Sequence, residues 1–357
     1  MSIRHSIAAV IGAALFVFNV QAQPAGALLV RRGAFIHQAR NAMVVAKPNG
    51  TVDAVDLASG RTLWTADDAA SPLGLDDRYV VAQVEQIPAD SHLRVAVLDA
   101  QDGRKISEAS IELPANVRAL VQDELGESFR AAAERDGATF VISWFYQFRP
   151  IEAVAERSAR HPASTLVSGT VRILADSGRI VGAAASTVDS VPDRWRSYGS
   201  APRPPWHAGD VLANVEGGRG GPLTLKRSKA MTAEVLPDRI LSKQAVSALA
   251  SVDERHLLAA ERVGEGGVDD PEYRWRIFNL ESGEQIAEFR RDVSAAPFFL
   301  SNDNVVFESA AHGFLSGGGV WVEEPLAIQA IRASSGSPAW NCTLRDLSYR
   351  GPVPPKR

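Results

Sequence analysis

The chain has 357 residues, 45% hydrophobic and 22% charged, with a net charge of -4 and one cysteine. That size and balance suit a soluble globular protein that buries a large core without metal or disulfide staples. They give no reason to expect nucleic acid or an anionic membrane surface as a partner.

Residues 1–22 read as a secretory signal. Arg4 and His5 give a short positive start, residues 7–20 are apolar apart from small residues and Asn19, and Val20-Gln21-Ala22 presents small or modest side chains for cleavage. The apolar run is short for a membrane span, although an uncleaved anchor is the alternative. No later segment approaches ~18 apolar residues, so no integral membrane segment is expected after cleavage. Cys342, the lone cysteine, lies far from this point, where Ala22 and Gln23 stand instead of a lipidated cysteine. The expectation is a periplasmic or secreted, soluble protein that is not a lipoprotein. Cys342 itself reads as a small apolar strand residue, since free cysteines are usually buried.

The mature chain repeats one shape. Residues 52–60, 95–103, 171–178, 275–283 and 327–336 are each an apolar or alternating run closed by a polar turn ending in glycine: Gly60, Gly103, Gly178, Gly283 and Gly336. Glycine takes the positive φ that a tight strand-to-strand loop needs. Ser or Asp precedes each glycine, and Asp56, Asp99 and Asn279 stand four residues before it, where they can bond turn N–H groups. Leu174 and Arg332 occupy that place in the other two copies. Trp64 and Trp340 each follow their glycine by four, which suggests a recurrent packing position between neighbouring sheets.

Strands are expected before these turns, over residues 79–84, 139–148, 256–260 and 304–307. The intervals between the glycines are 43, 75, 105 and 53. A sixth unit, lacking the Ser-Gly turn, fits residues 209–215 and 222–226 and divides the longest interval. The result is close to the ~40–50 residues of a four-stranded propeller blade. Val121, Leu125, Phe129 and Ala132 share one helical face, so a helix inserted between blades is expected over residues 118–135. Residues 345–357 carry three prolines and read as an extended strap that would help close the ring across the first blade. The fold expected is all-β: one propeller of six to eight four-stranded antiparallel blades over residues 23–357, with one inserted helix.

Asp56-Leu-Ala-Ser-Gly-Arg-Thr-Leu-Trp64 and Asp99-Ala-Gln-Asp-Gly-Arg-Lys105 resemble the repeat of the PQQ-like (quinoprotein alcohol dehydrogenase-like) β-propellers. In that repeat the tryptophan docks one blade on the next. The resemblance implies one of two functions. Some members are periplasmic dehydrogenases that hold pyrroloquinoline quinone (PQQ) and calcium at the axis, beside a pair of adjacent cysteines. Others are non-catalytic scaffolds. The single cysteine and the short chain fit the second branch, with no cofactor expected. The alternative is a PQQ-dependent oxidoreductase, and a carbohydrate- or peptide-binding sensor is a third class.

No catalytic or metal-ligating motif stands out. The six histidines after the signal are far apart in sequence, and Gly217-Gly-Arg-Gly-Gly221 is followed by a strand rather than a helix. The candidate partner-binding loop is residues 191–207, with Arg194, Trp195, Arg196, Tyr198, Arg203 and Trp206 among four prolines. Arg and aromatic side chains are the types enriched in interface hot spots. The competing reading folds this loop onto its own domain, with Trp195 or Trp206 buried. A protein or peptide partner and a monomeric chain are expected.

Overall fold

The computed structural model describes residues 27–85, 92–114, 129–147, 166–188, 190–192, 195, 200–218, 221–263, 272–309, 313–315, 321–323 and 325–345. These residues form antiparallel sheets that follow one another along the chain. Sheet 1 has five strands: β1 (Ala27–Arg31), β2 (Ala34–His37), β3 (Ala42–Ala46), β4 (Val52–Asp56) and β5 (Thr62–Ala66). Sheet 2 is β6 (Ser71–Leu75), β7 (Tyr79–Gln83), β8 (His92–Asp99) and β9 (Lys105–Glu112). Sheet 3 is β10 (Phe129–Asp136), β11 (Thr139–Gln147), β12 (Leu166–Leu174) and β13 (Ile180–Thr187). Sheet 4 is β14 (Trp206–Ala208), β15 (Val211–Gly217), β16 (Leu223–Lys229) and β17 (Val235–Ser242). Sheet 5 is β18 (Ala245–Ala250), β19 (His256–Val263), β20 (Glu272–Asn279) and β21 (Gln285–Arg291). Sheet 6 starts with β22 (Phe298–Ser301) and β23 (Asn304–Ser309). After a small hairpin of β24 (Gly313–Leu315) and β25 (Trp321–Glu323), it ends with β26 (Ala327–Arg332) and β27 (Pro338–Thr343).

The sheets stack face to face as propeller blades. Apolar clusters join sheet 1 to 2, 2 to 3, 4 to 5 and 5 to 6. A further cluster joins sheet 6 back to sheet 1, with Ile36, Met43 and Val45 packed against Val306, Ile328 and Leu344. Polar contacts reinforce this closure. Asn304 donates from Nδ2 to the carbonyls of Leu57 at 2.8 Å and Ala58 at 3.0 Å, and Arg31 pairs with Glu308. Leu344 and Arg345 then leave β27 onto sheet 1, where the Arg345 N–H reaches the Ala46 carbonyl at 3.4 Å. The rest of the expected strap lies outside the described residues.

The five glycine-ended turns are equivalent corners, and there is a sixth. In each, the first residue donates its N–H to the carbonyl five residues on: Asp56 to Arg61, Asp99 to Arg104, Leu174 to Arg179, Lys229 to Glu234, Asn279 to Glu284 and Arg332 to Ser337, all at 2.8–2.9 Å. The residue four along donates back to the first residue's carbonyl. That residue is glycine with φ of 65–74° in five corners and Ala233 with φ of 56° in the sixth. The unit expected to lack the turn therefore has it, with Thr232-Ala233 in place of Ser-Gly. The acceptors are those the sequence suggests. Oδ1 of Asp56, Asp99 and Asn279 accepts a turn N–H at 2.7–2.8 Å. Where Arg332 replaces the acid, Asp303 reaches in from the preceding turn and accepts from the Ser334 N–H at 2.9 Å.

The reason for glycine is packing as well as φ. A Cβ on Gly60 would stand 2.4 Å from Trp340 Cβ, one on Gly103 would stand 2.5 Å from Trp64 Cε3, and one on Gly336 would stand 2.6 Å from Phe289 Cβ. Each corner thus seats on a side chain of the neighbouring sheet's outer strand. Trp64 donates from Nε1 to the Ala100 carbonyl at 3.2 Å, and Trp340 to that of Leu57 at 3.0 Å. At Gly178 the contact is the Glu108 carbonyl oxygen, 2.4 Å from the added carbon, and at Gly283 it is the guanidinium of Arg227.

The inserted helix is not found. Residues 129–135 lie in β10, where Phe129, Ala131 and Ala133 face the cluster shared with sheet 2 while Ala132 faces the other side with Phe145. Alternation buried against two layers overrides the helical preference of an Ala-, Glu- and Arg-rich run. Residues 118–128 are outside the described residues.

Candidate functional site

The loop of residues 191–207 is the first candidate. Trp195 is 2% exposed and stacks on Phe145 of β11, with ring centroids 6.4 Å apart. Its N–H donates to the Pro192 carbonyl at 2.9 Å, and its own carbonyl accepts from Arg130 Nη1 at 2.8 Å. Trp206, in β14, is buried in the cluster between sheets 4 and 5 and donates from Nε1 to the Pro202 carbonyl at 3.0 Å. Both indoles anchor the loop to its own sheets. Arg203 is exposed, while Arg194, Arg196 and Tyr198 fall outside the described residues. Beside Trp195, an open cleft of about 260 Å³ is lined by Ser143, Ser168, Thr170, Ser186 and Pro192.

A second cavity, of about 270 Å³, lies between sheets 1 and 2, lined by His37, Arg40, Leu63, Trp64 and Gln101. His37 ends β2 and is 2% exposed, and neither ring nitrogen has a partner of hydrogen-bond geometry among the described residues. Burial lowers its pKa below the ordinary imidazole value, and the nearby Asp77 carbonyl offsets part of this. The neutral ring offers the cavity one donor and one acceptor, with the Arg40 cation at the rim. Sequence reasoning missed this residue, because nothing local marks a histidine that tertiary packing will bury.

The sign of the pH dependence follows from the lowered pKa. Below about pH 6.5 the unfolded chain binds a proton that the folded chain resists. The contribution of His37 is complete above that pH and is lost as pH falls through the folded value. His256, also lowered by burial, acts in the same direction. Urea unfolding at pH 7.5 and 5.5 is expected to show lower stability at 5.5, with a smaller drop in His37→Gln. An unchanged drop contradicts the assignment to His37.

Cys342 is buried in β27, within the closing cluster. Burial raises its pKa, opposed by Lys47, whose Nζ lies 3.3 Å from Sγ. The thiol is held in its neutral form, away from nucleophilic chemistry.

The dehydrogenase branch implies a quinone over a calcium ion, held beside adjacent cysteines. Its adjacent cysteine pair has no counterpart, since the single Cys342 is taken into a blade-to-blade core. The carboxylates that gather are held by cations: Glu108 lies 2.5 Å from Arg94 and 3.1 Å from Lys105, and Glu288 lies 3.1 Å from Arg276. Among the described residues no three His, Cys, Asp or Glu side chains converge as a metal cage.

Among solved structures, a europium-containing methanol dehydrogenase is 13% identical, covering 90% of this chain and 70% of its own, with a TM-score of 0.29. The dihydro-heme d1 dehydrogenase NirN is 13% identical, covering 90% and 75%, with a TM-score of 0.28. BamB from Moraxella catarrhalis is 14% identical, covering 87% and 75%, with a TM-score of 0.23. None of the curated proteins matches the chain. A family model described as outer membrane protein assembly factor BamB matches residues 7–232, more than half of the chain. The chain belongs to that family of PQQ-like β-propeller proteins.

Proposed function

We propose that this protein is a non-catalytic, extracytoplasmic propeller that serves as a binding scaffold for another protein. The observation that carries this reading is the match of residues 7–232 to a family described as an assembly factor. The leader pattern of residues 1–22 supports export to the periplasm or beyond. Two sets of groups able to do chemistry are committed to structure: Cys342 is buried beside Lys47, and the clustered acids Glu108 and Glu288 are ion-paired. The contact surface proposed is the loop of residues 191–207, reached through Arg203 and the flanking Arg194, Arg196 and Tyr198. Its tryptophans hold the loop rather than the partner. The four prolines of the loop restrict its backbone, which lowers the entropy lost on binding.

A photo-crosslinker at position 203, with one at the exposed Arg290 of sheet 5 as control, tests this in envelope fractions. Position 203 is expected to capture a discrete protein and position 290 is not. Equal labelling from both positions overturns the loop. A thermal shift and visible absorbance change on adding PQQ and calcium overturns the non-catalytic reading.

A further inference from the structure

Five of the six corners seat on a neighbouring sheet, whereas the corner of sheet 4 is left exposed at Ala233. The outer strand of the sheet before it, β13, carries no aromatic. In β13, Gly182 stands four residues after Gly178, the place of Trp64 and Trp340, and a Cβ there would meet no atom within 4 Å. No apolar cluster joins sheets 3 and 4 among the described residues. Among the described residues no ring presses on this corner, where an alanine stands. The unlatched seam is written into both halves of the sequence.

Exposed apolar side chains gather on the outer edges beside this seam. All eight residues of β13 are exposed. Of the seven exposed large hydrophobic residues among those described, five are Ile180 and Val181 on β13, Met231 in the sheet 4 corner, and Val235 and Ile240 on β17. Soluble sheets guard their outer strands with charge, proline or shortness. Here β9 carries Lys105, Glu108 and Glu112, β17 carries Pro237 and Asp238, β21 carries Glu288 and Arg290, and β27 starts with Pro338. β5 is short, and its Trp64 and Ala66 are buried. β13 has none of these guards. Its sequence, Ile-Val-Gly-Ala-Ala-Ala-Ser-Thr, has no charge and no proline.

We propose that β13 is the pairing edge for a second copy of this chain, whose own β13 adds antiparallel across a two-fold axis. This goes beyond the scaffold reading and replaces the expected monomer. Charge selects the occupant. A charged peptide would find no countercharge along β13, whereas a second β13 matches it with small and apolar residues and leaves no charge unpaired. Eight residues give an edge of about 27 Å at ~3.4 Å per residue. The apolar side chains at the strand start and on the neighbouring β17 would add contact area beyond the backbone ladder.

Sedimentation of the full chain over a wide concentration range is expected to show a monomer–dimer equilibrium. Ala184→Lys, at the exposed middle of the strand, is expected to weaken the dimer at least about tenfold, roughly 1.4 kcal/mol. Far-UV circular dichroism and melting of that variant should match wild type, because the site is open. Mixing Ala184→Lys with Ala184→Glu should restore a dimer. A wild-type monomer at every concentration overturns the proposal, as does a dimer indifferent to Ala184→Lys. Capture of another protein's strand at β13 in place of the second copy overturns it as well.

Discussion

Gly103→Ala is expected to lower the unfolding free energy by about 2–5 kcal/mol. Holding an L-residue at φ of 74° costs ~1–2 kcal/mol, and pressing a methyl into a packed neighbour costs a further ~1–3 kcal/mol. The methyl would stand 2.5 Å from the Trp64 ring, which must tilt out of its seat. Gly178→Ala should lie near the top of the same range, because it meets the Glu108 backbone, which has no rotamer to change. Ala233→Gly is the internal contrast. Ala233 already bears the positive φ and is exposed, so removing its methyl relieves local strain against a gain in unfolded-chain entropy, with a net effect within about 1 kcal/mol. Urea unfolding of the three variants measures the difference. Equal losses at all three corners would mean that backbone conformation alone, and no neighbouring blade, sets the requirement for glycine.

Trp64→Ala is expected to cost about 3–5 kcal/mol, the range for truncating a large core aromatic. Trp64 is 8% exposed, and it packs with Val44, Leu75 and Leu98 in the cluster that joins sheets 1 and 2. Its removal also leaves the Ala100 carbonyl without the indole N–H. Trp64→Phe keeps most of the apolar contact and loses the hydrogen bond, so it should cost distinctly less. A loss under about 1 kcal/mol for the alanine variant would place the ring outside any blade-to-blade core.

The propeller was legible in the sequence because its corners are chemically demanding. A positive φ, an acceptor four residues earlier and a ring pressed on the corner restrict the residue types, and these restrictions surface as Asp56, Gly60, Trp64 and their counterparts. The corner at Ala233 escaped notice for the same reason in reverse. With no neighbour to exclude a Cβ, alanine suffices, and the visible sign is lost. The residues that replace tryptophan were equally hidden. Phe289 sits six residues after its glycine rather than four, and Arg227 docks from β16. The helix expected over residues 118–135 failed where β10 begins. Phe129 and Ala132 fit a helical period while Phe129, Ala131 and Ala133 fit an alternating one, and packing on sheet 2 decides between them.

The candidate sites were less readable. The loop of residues 191–207 stood out by composition, but composition cannot separate an aromatic that anchors from one that waits for a partner. Trp195 and Trp206 anchor. The cavity containing His37 depends on sheets 1 and 2 meeting, which leaves no trace near residue 37. The bare edge of β13 is written openly as eight uncharged residues. It gains meaning from the contrast with β9, β17 and β21, and that contrast needs all of these strands placed as outer edges.

A double-mutant cycle between Gly103 and Trp64 tests the central claim that the corners are equivalent joints between stacked blades. Gly103→Ala would be measured by urea unfolding in wild type and in Trp64→Ala. Without the ring, the alanine is expected to cost little more than its φ, so the two changes should be less than additive by about 1–3 kcal/mol. Additivity within ~0.5 kcal/mol would mean that corner and ring do not touch, and would contradict the account.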